Sequence, residues 1–226
     1  MTQSAPTVVP ARIPVDGVQL EGDLTLPAQP LGVVLFAHGS GSSRHSPRNR
    51  FVAETLQAGR LATLLIDLLS ADEEAVDLRT RHLRFDIDLL ARRLVGAVDW
   101  LAAQPATRSL TIGLFGASTG AGAALVAAAH RPALVRAVVS RGGRPDLADA
   151  ALPAVQAPTL LIVGGHDGPV IGLNEQALAR LTTRKRLETV PGATHLFEEP
   201  GALETVARLA REWFQTYLAP APSTVA

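Results

Sequence analysis

Short runs of hydrophobic residues recur along this chain and predict the strands of a sheet. The run at Gly32–Ala37 is continuous, which is typical of a strand buried on both faces. The strands predicted after the first 30 residues are Gly32–Ala37, Leu61–Ile66, Leu110–Phe115, Leu134–Ser140, Thr159–Val163 and Leu187–Val190. Two earlier strands, Val8–Ile13 and Val18–Leu26, surround an Asp-Gly turn sequence and indicate an antiparallel hairpin.

Helices are predicted between these strands, mainly from hydrophobic residues that recur at helical spacing. The predicted helices are Pro47–Gly59, Phe85–Ala103, Ala121–His130, Leu173–Leu181 and Leu203–Leu218. The charged segment Ser70–Arg81 has no such spacing and is predicted to be a loop or a short helical turn. Because strands alternate with helices after the hairpin, the sequence predicts an α/β fold with a mostly parallel, doubly wound sheet.

The length and composition are those of one globular domain. The chain has 226 residues, of which 47% are hydrophobic and 19% are charged. No repeat or low-complexity linker divides it, so we expect a single domain over 1–226, with flexible tails at 1–7 and 219–226. The N-terminus lacks the pattern of a secretory signal, and no run of about 18 apolar residues is present to span a membrane. We therefore expect a cytoplasmic protein with no membrane partner.

Charge and cysteine content exclude several function classes. The net charge is zero, which gives no support for a nucleic-acid partner. The chain has no cysteine, which excludes disulfides, thiolate metal sites and a cysteine nucleophile. No two histidines stand at metal-ligand spacing, so we expect neither a metal nor a cofactor.

A serine stands between the predicted strand Leu110–Phe115 and the predicted helix Ala121–His130. The sequence Gly-Ala-Ser-Thr-Gly, centred on Ser118, fits the pattern G-x-S-x-G. A serine on such a tight strand-to-helix turn has a strained backbone, and the flanking glycines make room for the strand and helix. Its hydroxyl then lies at the positive end of a helix, where developing negative charge is stabilised. Ser118 is the candidate nucleophile.

An acid and a histidine follow the serine, each just after a predicted strand. Asp167 lies in Gly-Gly-His-Asp-Gly, and His195 lies in Gly-Ala-Thr-His-Leu-Phe. The carboxyl ends of parallel strands meet at one edge of a sheet, so these residues are expected to meet Ser118 there. A serine nucleophile needs a base to take its proton and an acid to orient that base. His166 is an alternative base and Asp67 an alternative acid.

The loop after the strand Gly32–Ala37 reads His-Gly-Ser-Gly-Ser-Ser and supplies a candidate oxyanion hole. Acyl transfer needs one backbone N–H from the residue after the nucleophile and one from the loop after an early strand. Thr119 and Ser40 are the expected donors. His38 is expected to brace this loop and not to act as a second base.

These motifs together resemble the α/β-hydrolases across nearly the whole chain. Within that superfamily the chain is most similar to the small dienelactone-hydrolase-like proteins, which lack a cap domain. About a dozen residues, Asp146–Ala157, stand where many relatives insert a lid. Dienelactone hydrolase proper has a cysteine nucleophile, whereas position 118 is serine. The resemblance therefore implies a serine carboxylesterase acting on small esters, with lactone hydrolase or thioesterase activity as alternatives.

Arginines near the predicted site suggest a substrate with an anionic group. Arg44 follows the oxyanion loop and Arg141 follows the strand beside that of the serine. A guanidinium group pairs well with carboxylate, so Arg44 and Arg141, with Gly39 of the loop, are candidate substrate-binding residues. The alternative is that these arginines form a solvated rim or pair with local acids.

Two other classes of function remain open at this point. The glycines of the serine turn also resemble the dinucleotide-binding pattern of short-chain dehydrogenases. Against this, the turn follows more than 100 residues, and such enzymes need a Tyr-x-x-x-Lys pair that this chain lacks. The second alternative is a catalytically silent hydrolase fold that serves as a binding protein.

Overall fold

The computed structural model describes residues 6–220 and contains one eight-stranded sheet. Its strands are β1 (Thr7–Val15), β2 (Val18–Leu26), β3 (Gly32–Ala37), β4 (Leu61–Ile66), β5 (Ile112–Ala117), β6 (Val135–Arg141), β7 (Thr159–Gly164) and β8 (Lys185–Val190). Their order across the sheet is β1-β2-β4-β3-β5-β6-β7-β8. The pairs β1–β2 and β2–β4 are antiparallel and all other neighbours are parallel. The predicted sheet and its N-terminal hairpin are confirmed.

Helices cover both faces of this sheet. They are α1 (Pro47–Ala58), α2 (Ala71–Thr80), α3 (Ile87–Ala103), α4 (Thr119–His130), α5 (Gly168–Arg180) and α6 (Ala202–Leu218), with 3₁₀ segments at Leu83–Phe85 and Pro145–Ala154. One hydrophobic core joins the sheet to α3, α4 and α5, and a second joins it to α1 and α6. In β3, Val33 and Leu35 enter the first core, while Val34 and Phe36 enter the second. Burial on both faces explains why this strand is hydrophobic throughout.

The prediction of a loop or short helical turn over Ser70–Arg81 is wrong for most of that segment. It contains the ten-residue helix α2. The Ser70 side chain accepts a hydrogen bond from the Glu73 N–H, and the Glu73 side chain accepts one from the Ser70 N–H. This capping box stabilises the first turn, where acidic residues also favour the helix dipole. Only Asp77 of this helix is buried, so hydrophobic spacing gives no sign of it.

The serine turn is tighter than the predicted element boundaries imply. Strand β5 continues to Ala117 and helix α4 begins at Thr119, which leaves Ser118 alone between them. At the N-terminus, Thr7 already belongs to β1 instead of a tail. The other residues of the predicted tails, except 6, 219 and 220, lie outside the described range. Between β6 and β7 the chain forms only the short 3₁₀ segment Pro145–Ala154, so no lid domain is inserted there.

Gly120 is expected to be a position where a single methyl group destabilises the fold. A Cβ atom there would lie 2.4 Å from the backbone oxygens of Ala37 and His38. We expect Gly120→Ala to lower the free energy of unfolding by about 3 kcal/mol, the upper end of common overpacking effects. Gly172 in α5 is the matched control, because a Cβ added there would have no atom within 4 Å. Gly172→Ala should instead stabilise by about 0.5–1 kcal/mol, because alanine is the better helix former.

Urea unfolding followed by circular dichroism measures both glycine variants against the wild type. Equal stability of the two variants would contradict the close approach of α4 to the end of β3.

Candidate active site

Ser118 has a backbone conformation that few residues other than glycine adopt. Its φ is 51° and its ψ is −123°. Such a conformation costs about 1–3 kcal/mol and persists only where the surroundings impose it. Here the Ser118 carbonyl accepts hydrogen bonds from the N–H groups of Ala121 and Arg144 at 3.1 and 3.0 Å. A Cβ at Gly116 would lie 2.4 Å from the Ala121 Cα, so glycine is required for α4 to pack this closely on β5.

The structure pairs Asp167 with His195. Asp167 lies between β7 and α5, His195 lies in the loop after β8, and the His195 Nδ1 is 2.7 Å from the Asp167 Oδ2. A carboxylate at Nδ1 favours the tautomer with its proton on that nitrogen, which leaves Nε2 to accept a proton. His195 lines the same pocket as Ser118. The side chain of Asp167 is 12% exposed, compared with 38% for His195, so the acid is sheltered behind the base.

The two alternative residues lie in other surroundings. His166 is exposed, and among the described residues the Asp167 carboxylate bonds to His195 and not to His166. Asp67 accepts a hydrogen bond from the Arg44 N–H at 2.7 Å and also binds the Arg44 guanidinium. The strand-end acid that reaches His195 is Asp167.

The predicted oxyanion donors lie together, but one of them already has a partner. Thr119 is the first residue of α4, a position whose N–H has no acceptor within its own helix. The Ser40 N–H donates to the Thr119 side-chain oxygen at 2.9 Å. Gly39 also lines the pocket, where a Cβ on it would lie 3.1 Å from the Ser118 Cβ. The loop therefore lies directly against the serine turn.

His38 holds the base of this loop in place. Its Nδ1 donates to the Gly39 carbonyl at 2.9 Å, and its Nε2 accepts from the Leu68 N–H at 3.1 Å. Burial lowers the pKa of His38, which favours the neutral ring that these two hydrogen bonds require. Both ring nitrogens are thus engaged, as expected for a bracing residue.

Sequence reasoning missed an ion pair that lies beside the same loop. Asp77 of α2 is fully buried, and its Oδ2 lies 2.5 Å from the Nε of Arg84. Burial raises the pKa of Asp77, but the hydrogen bonds and charge of Arg84 outweigh it and keep the pKa below its usual value. A Cβ at Gly41 would lie 3.2 Å from the Arg84 Nη1, so this ion pair borders the oxyanion loop. The capping box of α2 is the only sequence signal that points to it.

Arg44 lies apart from the Ser118 pocket, contrary to its expected role. Its guanidinium pairs with Glu21 at 2.8 Å, with Asp23 at 3.7 Å and with Asp67. It lines a neighbouring pocket of about 290 Å³, whereas Ser118 and His195 line one of about 250 Å³. Three carboxylates of the protein already pair with Arg44, which argues against the expectation that it binds a substrate anion.

Arg141, the other candidate arginine, does line the pocket of Ser118 and His195.

Within residues 6–220, no group of three or more His, Cys, Asp or Glu residues is arranged to hold a metal ion. Across the same range, no helix combines the length and the apolar character needed to cross a membrane.

The comparisons with known proteins identify the family and support the fold. The model of the family described as "Dienelactone hydrolase family" matches residues 52–218. The chain belongs to the dienelactone hydrolase family. The crystal structure of dienelactone hydrolase from Anabaena variabilis ATCC 29413 is 66% identical to it, with a TM-score of 0.93, and the match covers 94% of this chain and 99% of that one. Membership of this hydrolase family argues against the dehydrogenase alternative.

More distant structures of dienelactone-hydrolase-like proteins and esterases share the fold. Est1E from Butyrivibrio proteoclasticus is 17% identical with a TM-score of 0.77, and the match covers 92% of this chain and 98% of that one. A dienelactone hydrolase-like promiscuous phosphotriesterase from metagenomic libraries is also 17% identical, with a TM-score of 0.78, over 96% of this chain and all of that one (100%).

Curated relatives from two strains of Mycobacterium tuberculosis are longer. Each is 60% identical over 207 residues, which is 91% of this chain but 46% of the relative. Each carries the provisional name phosphoribosyl transferase. The chain therefore spans less than half the length of these relatives.

Proposed function

We propose that the protein is a serine carboxylesterase that cleaves small esters through an acyl-enzyme on Ser118. The observation that carries this proposal is the 2.7 Å contact of Asp167 with His195, which lines the pocket of the strained Ser118. A sheltered acid, an oriented imidazole and a hydroxyl on a tight turn are the groups that acyl transfer requires. The hydrolase family of the chain agrees with this chemistry.

In the proposed mechanism, the His195 Nε2 takes the proton of Ser118 as the hydroxyl attacks the ester carbonyl. The leaving alcohol then takes that proton from His195. Water then gives a proton to His195 and attacks the acyl-enzyme, and His195 passes that proton to the Ser118 oxygen as the acid leaves. Asp167 keeps the imidazole in the required tautomer and stabilises its charged form throughout.

The oxyanion hole is proposed to consist mainly of Thr119. The Thr119 N–H at the start of α4 is the first donor, and the helix dipole favours negative charge at the same point. The Thr119 hydroxyl accepts the Ser40 N–H through its oxygen, so its own hydrogen is free to donate to the oxyanion. In this assignment the Ser40 N–H orients the Thr119 hydroxyl. The Ser40 N–H donates directly to the oxyanion only when that hydroxyl turns away.

A lactone is the second candidate substrate. The relative from Anabaena variabilis is named dienelactone hydrolase and is 66% identical to this chain. A lactone is a cyclic ester, so the same serine attack opens it without a separate leaving alcohol. A thioester fits the same attack. Phosphoribosyl transfer is not proposed, because the chain covers less than half of the relatives so named and matches a hydrolase family.

A fluorophosphonate probe tests the proposed function on the intact protein. We expect one covalent adduct, located by mass spectrometry on the peptide that contains Ser118. Prior treatment with the probe should abolish hydrolysis of p-nitrophenyl acetate and butyrate, because the probe phosphonylates the activated serine. A matched panel of lactones and thioesters then ranks the candidate substrates. Folded protein that takes up no probe would support the catalytically silent alternative.

A further inference from the structure

Arg141 is a buried cation that the described part of the protein does not neutralise. The residue ends β6 and is 7% exposed. Its Nε has no hydrogen-bond partner among residues 6–220, and its Nη2 reaches only the Asn49 Oδ1, at the long distance of 3.5 Å. No carboxylate in that range forms an ion pair with it. A buried charge without a partner is strongly unfavourable, so this arrangement is unusual for a structural residue.

The surroundings of Arg141 add further positive potential to the pocket. Arg48 is close enough for its charge, together with burial, to lower the pKa of Arg141 to about 10. Arg141 is therefore still cationic at neutral pH. Arg48 itself is in part neutralised by Glu198 at 3.1 Å. Ser46, the N-cap of α1, also lines the pocket, so the positive end of that helix opens into it.

One aromatic contact holds the guanidinium in place without neutralising it. The Arg141 Cζ lies 5.9 Å from the centre of the Phe197 ring. Phe197 is fully buried and follows His195 by two residues. A ring face attracts a cation but leaves its N–H groups free to bind an anion. The guanidinium is thus positioned beside the catalytic histidine loop with its donors available.

We propose that Arg141 forms the centre of an anion subsite, which binds a carboxylate or phosphate group carried by the substrate. The same pocket of about 250 Å³ contains Ser118, His195 and Arg141, so the group would belong to the ester being cleaved. Asn49 and the N-terminus of α1 complete the subsite. This subsite deepens the proposed esterase function. The claim that its ligand is part of a substrate rests on that function.

Other arginines near the site show how this one differs. Arg44 is held by three carboxylates, and Arg144 forms a paired contact with Asp146, its Nε at 2.8 Å and its Nη2 at 2.7 Å. Both guanidinium groups are thereby neutralised within the chain. A free anion would have to displace a protein carboxylate from either of them, whereas Arg141 has no such competitor among the described residues.

Kinetics on matched esters test the subsite. Hydrolysis of p-nitrophenyl hexanoate is compared with that of the p-nitrophenyl monoesters of glutaric acid and 4-phosphonobutyric acid, after subtraction of the uncatalysed rate. We expect Arg141→Gln to raise KM for the preferred anionic ester by about 10- to 100-fold, the loss typical of hydrogen bonds to a charged group. KM for the neutral ester should change less than about threefold on the same scale. Arg141→Lys should restore part of the loss. Arg131→Gln should match the wild type, because Arg131 pairs with Asp99 and does not line the pocket.

Thermal unfolding with free anions supplies a readout that needs no catalysis. Glutarate or inorganic phosphate should raise the Tm of the wild type and of Arg131→Gln, compared with sodium chloride at equal ionic strength, but not that of Arg141→Gln. The anion with the larger shift identifies carboxylate or phosphate as the ligand group. Equal KM losses on neutral and anionic esters, or equal Tm shifts in wild type and Arg141→Gln, would overturn the subsite. A wild type that hydrolyses none of the esters would contradict the esterase function, and the Tm series would still decide the subsite.

Discussion

His195→Ala is expected to lower kcat/KM for p-nitrophenyl butyrate by about 10⁴- to 10⁶-fold, the range seen when a triad member is removed. His166→Ala is expected to stay within about threefold of the wild type, since it alters no group of the proposed triad. The two histidines flank Asp167 in different ways. His166 is its neighbour in sequence and is exposed, whereas His195 is 28 residues away and its Nδ1 is 2.7 Å from the carboxylate.

The physical reason for the difference lies in the imidazole that reaches the pocket. Among the described residues, His195 is the base that Asp167 orients, so its loss leaves no such base to take the Ser118 proton. A serine hydroxyl that keeps its proton is a weak nucleophile. His166→Ala is the matched control, because it removes the same type of side chain from the residue next to Asp167 without breaking the contact between Asp167 and His195. Near-wild-type turnover in His195→Ala, or a large loss in His166→Ala, would show that His195 is not the base.

The sequence was sufficient to place the three residues of the proposed triad at one edge of the sheet, because one geometric rule applies to all of them. Ser118, Asp167 and His195 each follow a parallel strand, and such strands end at one edge of the sheet. The hydrophobic runs marked those strands clearly, since a strand covered on both faces leaves little room for polar residues. Short-range sequence patterns therefore determined a long-range arrangement.

The roles of the arginines could not be ranked from sequence. Arg44 and Arg141 both follow segments that end near the site, and nothing local distinguishes them. The difference depends on β2, whose Glu21 and Asp23 reach Arg44 from across the sheet edge. Pairing of this kind depends on tertiary packing. Only the fold therefore shows that carboxylates neutralise Arg44 and that no described carboxylate pairs with Arg141.

Helix α2 was missed for a related reason. Its stability depends on its capping box and on the buried pair of Asp77 with Arg84, instead of on a hydrophobic stripe. Hydrophobic periodicity detects only helices that bury apolar residues. A helix whose buried residue is an acid shows no such periodicity. This pair borders the oxyanion loop at Gly41, so the missed helix also supports the candidate site.

Ser118→Ala is expected to lower kcat for p-nitrophenyl butyrate by about 10⁶-fold, and the double variant Ser118→Ala/His195→Ala should be no slower. The reason is that the base acts only through the serine. Once the hydroxyl is absent, the imidazole has no proton to take, and the remaining rate comes from the oxyanion donors and substrate binding. Independent contributions would instead multiply the two losses.

Pre-steady-state and overnight turnover assays on the three variants measure this coupling, with Gly172→Ala as a control for handling and folding. Removal of the hydroxyl should leave the fold intact, because the strained turn is held by the Ser118 backbone carbonyl and not by its side chain. Circular dichroism and Tm should therefore match the wild type in all three. A double variant at least tenfold slower than Ser118→Ala would show that His195 acts on a second group, such as a water molecule that attacks the ester directly, and the acyl-enzyme mechanism would then be wrong.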